Sequence, residues 1–279
     1  MPPSNTTLPN PMTNLAYLAP SVAVEIEVIR CVLLISTGAT IWDVLSSFTE
    51  EVQLLFGGKL RLPMVVYWIS RLSSVAFVFV STVYKVTPVG HCNEFEKTVA
   101  GLMTIAVSTT SLLFFFRIRA VFHDSKIVVG FYFILWLSVV GGTFPLPFGA
   151  TGGSIGPTSY CLDTGLKPYA SASVIIPLIH DTLVFLAMSY RLLCNTRREV
   201  TLRGRLGSLW SRDHLPRFSA TLLKGSQHYY LVAVCSNLTL LIMLYSKPLP
   251  VVMRTVWSIP NVFLTNSMAC RIFRNARAA

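Results

Sequence analysis

The sequence predicts an all-α integral membrane protein, a bundle of seven transmembrane helices with its N-terminus outside and its C-terminus in the cytosol. Of the 279 residues, 53% are hydrophobic and only 13% are charged, whereas about 25% are charged in an average soluble domain. The mean hydropathy is +0.60, and seven long apolar runs are separated by polar segments. A soluble domain of this size would need more polar surface to cover its core, so a soluble enzyme is not expected.

A helix needs about twenty apolar residues to cross a bilayer, and each of the seven runs approaches that length. The predicted spans are residues 24–45, 63–84, 98–116, 127–144, 169–190, 229–245 and 249–270. The first, fifth and seventh contain charges or prolines, but leaving any of them out would place a long apolar segment in water. Residues 1–23 then form an extracellular or lumenal arm, 24–270 the membrane domain, 191–227 a basic cytosolic loop, and 271–279 a short cytosolic tail.

The distribution of lysine and arginine predicts the orientation, because cytosolic loops are enriched in both. Sixteen of these residues lie on the side of the C-terminus and four on the opposite side. The loop 191–227 alone has a net charge of +6. The triplet Asn5-Thr6-Thr7 is an N-glycosylation signal and agrees with an N-terminal arm outside the cytosol.

Two of the six cysteines lie in predicted outer loops, where the oxidising environment permits a disulfide. They are Cys92, just before the third span, and Cys161, between the fourth and fifth spans, and we predict a bridge between them. The sequence contains no CxxC pair and no Cys/His cluster with zinc spacing, so no metal site is expected. The basic residues lie between apolar runs rather than on a soluble fold, which argues against nucleic acid as a partner.

Motifs that mark the common enzyme classes are missing from the sequence. It has no HExxH, no GxSxG nucleophile elbow, and no Walker or dinucleotide-binding glycine loop. The seventh span has no lysine for a retinal Schiff base. We therefore expect neither an enzyme nor a bound cofactor.

Charged residues inside a bilayer are costly and are candidates for a functional site. Arg71 in the second span and Asp181 in the fifth lie towards the middle of the bilayer, with His180 beside Asp181. Arg71 and Asp181 either pair with each other or find separate partners, and either arrangement could be structural or could bind a ligand. Asp43 is expected close to the inner headgroups, serving the inner loop. Small polar residues at helical spacing predict close packing with interhelical hydrogen bonds in span three (Thr104, Ser108, Ser111) and span seven (Ser258, Asn261, Thr265).

Several short motifs resemble a large, uncharacterised family of basidiomycete fungal seven-helix membrane proteins. They are Trp42-Asp43-Val44-Leu45, Glu50-Glu51-Val52, Lys59-Leu60, Tyr67 with Ser70-Arg71, Arg117-Ile118-Arg119-Ala120, and Asn266-Ser267-Met268-Ala269-Cys270-Arg271. The resemblance covers most of the chain from about 24 to 275, although Leu72 stands where the family often has an aromatic residue. It implies the seven-helix layout, and it implies no particular ligand or activity.

Three functions fit this layout. The first is a receptor-like protein of the plasma membrane that senses an external ligand, with the loop 191–227 facing the anionic leaflet, an acidic protein or a G protein. Against G-protein coupling, no acidic-Arg-Tyr triplet follows span three, and span seven lacks an Asn-Pro pair. The second is a small-solute or lipid transporter with Arg71, His180 and Asp181 along its path, and the third is a membrane scaffold without a ligand. The sequence predicts no particular oligomeric state.

Overall fold

The chain folds almost entirely into helices. The computed structural model describes residues 14–56, 62–205, 215–246 and 251–278, and 84% of the structure is helical. The elements in chain order are α1 (Pro20–Phe56), α2 (Leu62–Val86), α3 (Cys92–Val121), α4 (Lys126–Thr143), α5 (Leu146–Gly149), β1 (Ala150–Ser154), β2 (Cys161–Leu166), α6 (Ala172–Arg205), α7 (Leu215–Tyr245), α8 (Val251–Thr255) and α9 (Ser258–Ala278), with 3-10 turns at Asn14–Tyr17 and Pro168–Ser171.

Five helical segments of the described chain are long and apolar enough to cross a membrane. They are Leu62–Val86, Cys92–Val121, Lys126–Gly149, Tyr169–Arg191 and His228–Tyr245. These segments contain the second to the sixth predicted spans, so the protein is a membrane-embedded helical bundle. The first and last predicted spans, which correspond to parts of α1 and to α8 with α9, are not among the five. They remain predictions.

The outer surface of the bundle is apolar and its interior is unusually polar. Ile35, Leu72, Ile127 and Ile134 are each between 68% and 87% exposed, far more than a protein in water normally tolerates for clustered large aliphatic side chains. Polar side chains that are buried between the helices include Ser70, Asp43 and Arg71. Lipid, rather than water, is therefore the solvent that this surface matches.

The segment 145–168 departs from the all-α prediction. After the single turn α5, strands β1 and β2 form an antiparallel hairpin with an irregularity at Thr151/Gly152. Gly152 is needed there because a Cβ atom would lie 2.4 Å from the Tyr84 hydroxyl oxygen and 2.7 Å from the Cys92 carbonyl oxygen. The glycines that make this loop look irregular in sequence thus allow the hairpin to press against α2 and α3.

Two further boundaries differ from the prediction. Helix α6 continues through Pro177 to Arg205 and α7 begins at Leu215, so most of the predicted loop 191–227 is helical. The predicted span 249–270 is divided into α8 and α9, and Pro260 lies in the first turn of α9. Proline is tolerated in a first turn because the amide hydrogen that it lacks would have no partner within the helix.

Helices α3 and α9 hold the bundle together. Helix α3 packs against α2, α4, α6 and α9, and α9 packs against α1, α2, α3 and α7. The polar face predicted for span three makes the expected interhelical bonds: the Thr104 hydroxyl donates to the Thr143 carbonyl oxygen at 3.0 Å, and the Ser108 and Thr143 hydroxyls are 3.2 Å apart. Such contacts let neighbouring helices approach closely.

Candidate functional site

The two ends of the bundle carry different polar structures. We call the end with β1 and β2 the hairpin end, and the opposite end the cluster end. The cluster end is named after a group of charged and polar side chains from three helices, which we call the ionic cluster. It consists of Asp43, Ser47, Glu50 and Glu51 from α1, Tyr67 and Arg71 from α2, and Ser267, Arg271 and Arg274 from α9.

Arg71 lies at the centre of the ionic cluster and is 5% exposed. Its Nη1 donates to Asp43 Oδ2 at 2.6 Å, and its Nη2 donates to Ser47 Oγ at 3.0 Å. Its Nε is 3.1 Å from Glu51 Oε1. Of the alternatives left open by the sequence, the structure therefore selects separate partners: Arg71 pairs with two carboxylates of α1 and not with Asp181.

Asp43 is buried inside the bundle. Its Oδ1 accepts hydrogen bonds from Ser267 Oγ at 2.8 Å and from Arg271 Nη2 at 3.1 Å. With Arg71 on its other oxygen, this carboxylate joins α1 to both α2 and α9. Asp43 therefore serves contacts between helices rather than the inner loop, and arginines from two helices compensate its charge.

A second set of contacts closes the ionic cluster. Arg274 Nε donates to Glu50 Oε2 at 2.8 Å, and its Nη1 donates to the Tyr67 hydroxyl at 3.1 Å and lies 3.4 Å from Glu51 Oε1. The Tyr67 hydroxyl donates to Glu51 Oε1 at 3.1 Å. Three carboxylates, counting Asp43, thus face the three arginines of the cluster, which as a whole is close to electrically neutral.

A sequence signal for this cluster exists. Asp43, Ser47 and Glu51 are spaced four residues apart and so lie on one face of a helix. Tyr67 and Arg71 repeat the same spacing, as do Ser267 and Arg271. Three membrane helices that each carry such a polar face can remove these faces from lipid by packing them against one another.

A separate polar group lies nearer the middle of the bundle. Asn237 Nδ2 donates to Asp181 Oδ2 at 2.7 Å, and His180 Nδ1 is 3.0 Å from Asp181 Oδ1. Asn261 Nδ2 donates in turn to Asn237 Oδ1 at 2.9 Å. This amide relay connects α6, α7 and α9. The structure brings the predicted residues His180 and Asp181 together, and it adds Asn237, which the sequence reasoning missed.

Asp181 and Asn261 line a small cavity of about 30 Å³. Its walls combine hydroxyl groups, among them Thr110, Ser111 and Thr265, with apolar side chains from α3, α6 and α7. A volume of this size accommodates a water molecule or a small ion and excludes an organic ligand. We refer to it as the central cavity.

A larger cavity of about 120 Å³ lies at the hairpin end, and we call it the outer cavity. Most of its wall is apolar, with Leu33, Phe77 and Ile259 among the lining residues, and its polar lining includes Lys85, Glu96 and Asp163. The Lys85 ammonium group forms an ion pair with the Asp163 carboxylate. Sequence reasoning missed this site, because Asp163 reaches α2 only through the hairpin.

The hairpin is fixed above the outer cavity by covalent and polar contacts. A disulfide joins Cys92 at the start of α3 to Cys161 at the start of β2, the pair that the sequence indicates. Tyr84 packs beside this disulfide, and its ring is stacked on Phe95. The hairpin therefore lies over one end of the bundle, where a disulfide and packing on α2 and α3 hold it.

Asn5, the predicted glycosylation site, lies outside the described residues. Within the described parts of the chain, no group of three His, Cys, Asp or Glu side chains is arranged to hold a metal ion.

Comparison with family models and with curated proteins finds no match to this chain. The structure therefore defines the class on its own: a multi-pass helical membrane protein with a buried ionic cluster at one end and a covered cavity at the other.

Proposed function

We propose that the protein is a receptor-like membrane protein that crosses the bilayer seven times, with α1 as the first span and α9 within the last. The charges of α1 do not prevent this, because Asp43 faces the bundle while Leu34, Ile35 and Leu45 on the same helix are exposed. The distribution of sixteen basic residues against four supports an external N-terminus and a cytosolic C-terminus. In that orientation the hairpin end faces outwards.

The outer cavity is the observation that carries a sensing function. Its volume of about 120 Å³ is close to that of an engineered apolar cavity of about 150 Å³ that binds benzene. The apolar wall favours a ligand with a compact hydrocarbon body. Lys85, Glu96 and Asp163 supply donors and acceptors for one hydrogen-bonding group on that body. The ligand class is thus a small aromatic or branched aliphatic molecule with a single polar function.

A ligand screen on the purified protein in lipid nanodiscs tests this proposal. We expect members of this class to raise the melting temperature in a saturable way, whereas larger or fully charged compounds leave it unchanged. Ala100→Leu would fill part of the outer cavity, because Ala100 lines it, and should abolish the shift. Ala39→Leu adds the same volume at a partly buried position of α1 outside the lining, and should retain it.

Two results of this screen would count against sensing in the outer cavity. One is the failure of every compound of the class to shift the melting temperature of the wild-type protein. The other is a shift that survives in Ala100→Leu. In either case a scaffold without a ligand would be the better description.

The cytosolic side of the proposal rests on the basic segment 191–227. Its net charge of +6 suits an acidic protein, such as a G protein, or the anionic inner leaflet of the plasma membrane. Ligand-dependent nucleotide exchange on Gα subunits would identify the first partner. The absence of exchange, together with binding to anionic vesicles that weakens with salt, would identify the second.

Transport is the second candidate, because the two cavities are neighbours. Met103, Ser173, Val174 and Leu240 line both of them, so the outer cavity adjoins the central cavity, which Asp181 also lines. Arg71, which the sequence analysis also placed on a path, lines neither cavity. Solute flux into vesicles carrying the protein, lost in Asp181→Asn, would favour transport over sensing.

A further inference from the structure

The central cavity is lined by one buried carboxyl group, that of Asp181. This side chain is 4% exposed, and each of its oxygens faces a nitrogen donor: Asn237 Nδ2 at 2.7 Å and His180 Nδ1 at 3.0 Å. Both Asp181 oxygens act as hydrogen-bond acceptors when the imidazole hydrogen of His180 lies on Nδ1. A buried carboxylate needs a compensating positive charge, and of these two partners only the imidazole of His180 can carry one.

His180 does not provide that charge. It is fully buried, and its Nε2 has no hydrogen-bond partner among the described residues. An imidazolium would bury an unpaired N–H at this atom, which is costly, whereas the neutral ring with its hydrogen on Nδ1 satisfies Asp181 and leaves only a lone pair at Nε2. Since Asn237 is also neutral, the described partners leave one negative charge uncompensated.

The amide relay directs further oxygen atoms into the same cavity. Asn261 uses its NH2 group to donate to Asn237, so its carbonyl oxygen points away from the relay. Among the described residues, neither Asn261 Oδ1 nor Thr265 Oγ1 has a hydrogen-bond partner. Asn261 is 7% exposed and lines the central cavity together with Thr265 and Asp181. One carboxylate and two unpartnered oxygens thus belong to residues that line this cavity of about 30 Å³.

From this arrangement we propose that the central cavity binds a monovalent metal cation, for which Na⁺ is the test ion. Oxygen ligands suit hard cations, and a single carboxylate compensates one positive charge. Divalent ions are disfavoured because they are normally held by more than one carboxylate or keep several waters, for which this volume is too small. The outer cavity provides the entry route, since the two cavities share four lining residues.

Thermal unfolding of the full-length protein in nanodiscs, at constant ionic strength, tests the site. Sodium chloride replaces choline chloride stepwise, and the melting temperature is followed by tryptophan fluorescence. Binding to the folded state should raise it saturably, by about 3–5 °C at a sodium concentration about tenfold above Kd. Asp181→Asn removes the charge with little change of shape and should abolish the shift, and Thr265→Val should weaken it.

Asp43→Asn is the matched control, because it makes the same change at another deeply buried aspartate and should retain the sodium-dependent shift. Glu27→Gln, at an exposed position, serves if Asp43→Asn does not fold. Broadening of the ²³Na resonance by the wild-type protein, but not by Asp181→Asn, reports binding directly. Equal melting of the wild-type protein in sodium and choline would overturn the proposal, as expected if the cavity holds only water or Asp181 holds a proton. A shift that survives in Asp181→Asn would overturn it as well.

Discussion

The ionic cluster and the central cavity both bury carboxylates within one bundle, yet they solve the charge problem differently. In the cluster, Asp43 and Glu51 face Arg71 at 2.6 and 3.1 Å, and each also faces an arginine of α9. In the centre, Asp181 faces neutral partners beside an open volume. A buried charge is therefore not by itself a sign of a ligand site; an uncompensated charge next to a cavity is.

The difference also divides the bundle by role. The cluster connects α1, α2 and α9 through side chains alone, and its charges balance, which is what a structural contact requires. The hairpin end holds its cover with a disulfide and encloses the outer cavity. Breaking each arrangement separately should therefore have effects of different size and kind.

The largest effect is expected from Arg71→Met. Methionine keeps much of the apolar volume but leaves Asp43 and Glu51 without their shared cation, and breaking a buried ion pair in this way costs about 3–5 kcal/mol. The free energy of unfolding, measured by denaturant titration in detergent micelles, should fall by that amount. Sodium should still raise the melting temperature of the variant, starting from its lower value in choline chloride.

Lys97→Met is the control for this prediction. Lys97 pairs with Glu94 at 3.7 Å on the surface, with both side chains well exposed, and such pairs contribute about 0–1 kcal/mol. If the two variants lost similar stability, the ionic cluster would not be the structural contact described above.

Much of the fold follows from the sequence, because hydropathy reports directly on the bilayer. The second to sixth predicted spans lie within helices that are apolar enough to cross it. The ends of the helices are less predictable: α6 continues to Arg205 because basic residues remain good helix formers outside the membrane. The hairpin was missed because its strands are short and rich in glycine, and pairing across a turn leaves little periodicity.

The site is only partly predictable, and the reason is geometric. Arg71 and Asp181 stand out in sequence as charges within apolar runs, but their partners depend on which helices are neighbours. Asp43 and Arg71 are 28 residues apart, and Asp43 and Ser267 are 224 apart. Spacing within a helix predicts a polar face, whereas the pairing of faces requires the packed bundle.

An intermediate effect is expected at the hairpin end. Replacing Cys92 and Cys161 together by serine removes a link between positions 69 residues apart, and loss of such a disulfide typically costs about 2–4 kcal/mol. Hydrogen exchange should also accelerate in β1 and β2, while the ionic cluster keeps the opposite ends of α1, α2 and α9 protected. Mass spectrometry of exchanged peptides measures both.

Cys235→Ser is the matched control, because Cys235 is an exposed free cysteine and its replacement should change stability by less than about 0.5 kcal/mol. Unchanged exchange of the hairpin in the double variant would show that its packing on Tyr84, rather than the disulfide, holds the cover in place.

The smallest effect is expected at a second contact between α1 and α2, which joins two neutral hydroxyl groups rather than charged ones. The hydroxyls of Thr37 on α1 and Thr82 on α2 are 2.8 Å apart, and each also lies 2.9 Å from a carbonyl oxygen of its own helix. Thr82→Val keeps the shape and leaves Thr37 its backbone partner, so the loss should be about 0.6 kcal/mol, the average for polar contacts between membrane helices.

Thr109→Val makes the same replacement where the hydroxyl bonds to carbonyls of its own helix, Ile105 at 2.7 Å and Ala106 at 3.3 Å, and no loss is expected. The loss of stability in Arg71→Met would then be about fivefold or more larger than the loss in Thr82→Val. The ratio of these two losses tests whether charged and neutral contacts between α1 and α2 differ, because Arg71→Met and Thr82→Val are measured by the same denaturant titration. A loss of about 2 kcal/mol or more in Thr82→Val would mean that neutral hydroxyls join α1 to α2 nearly as strongly as Arg71 does, and that charge balance is not what distinguishes the cluster end.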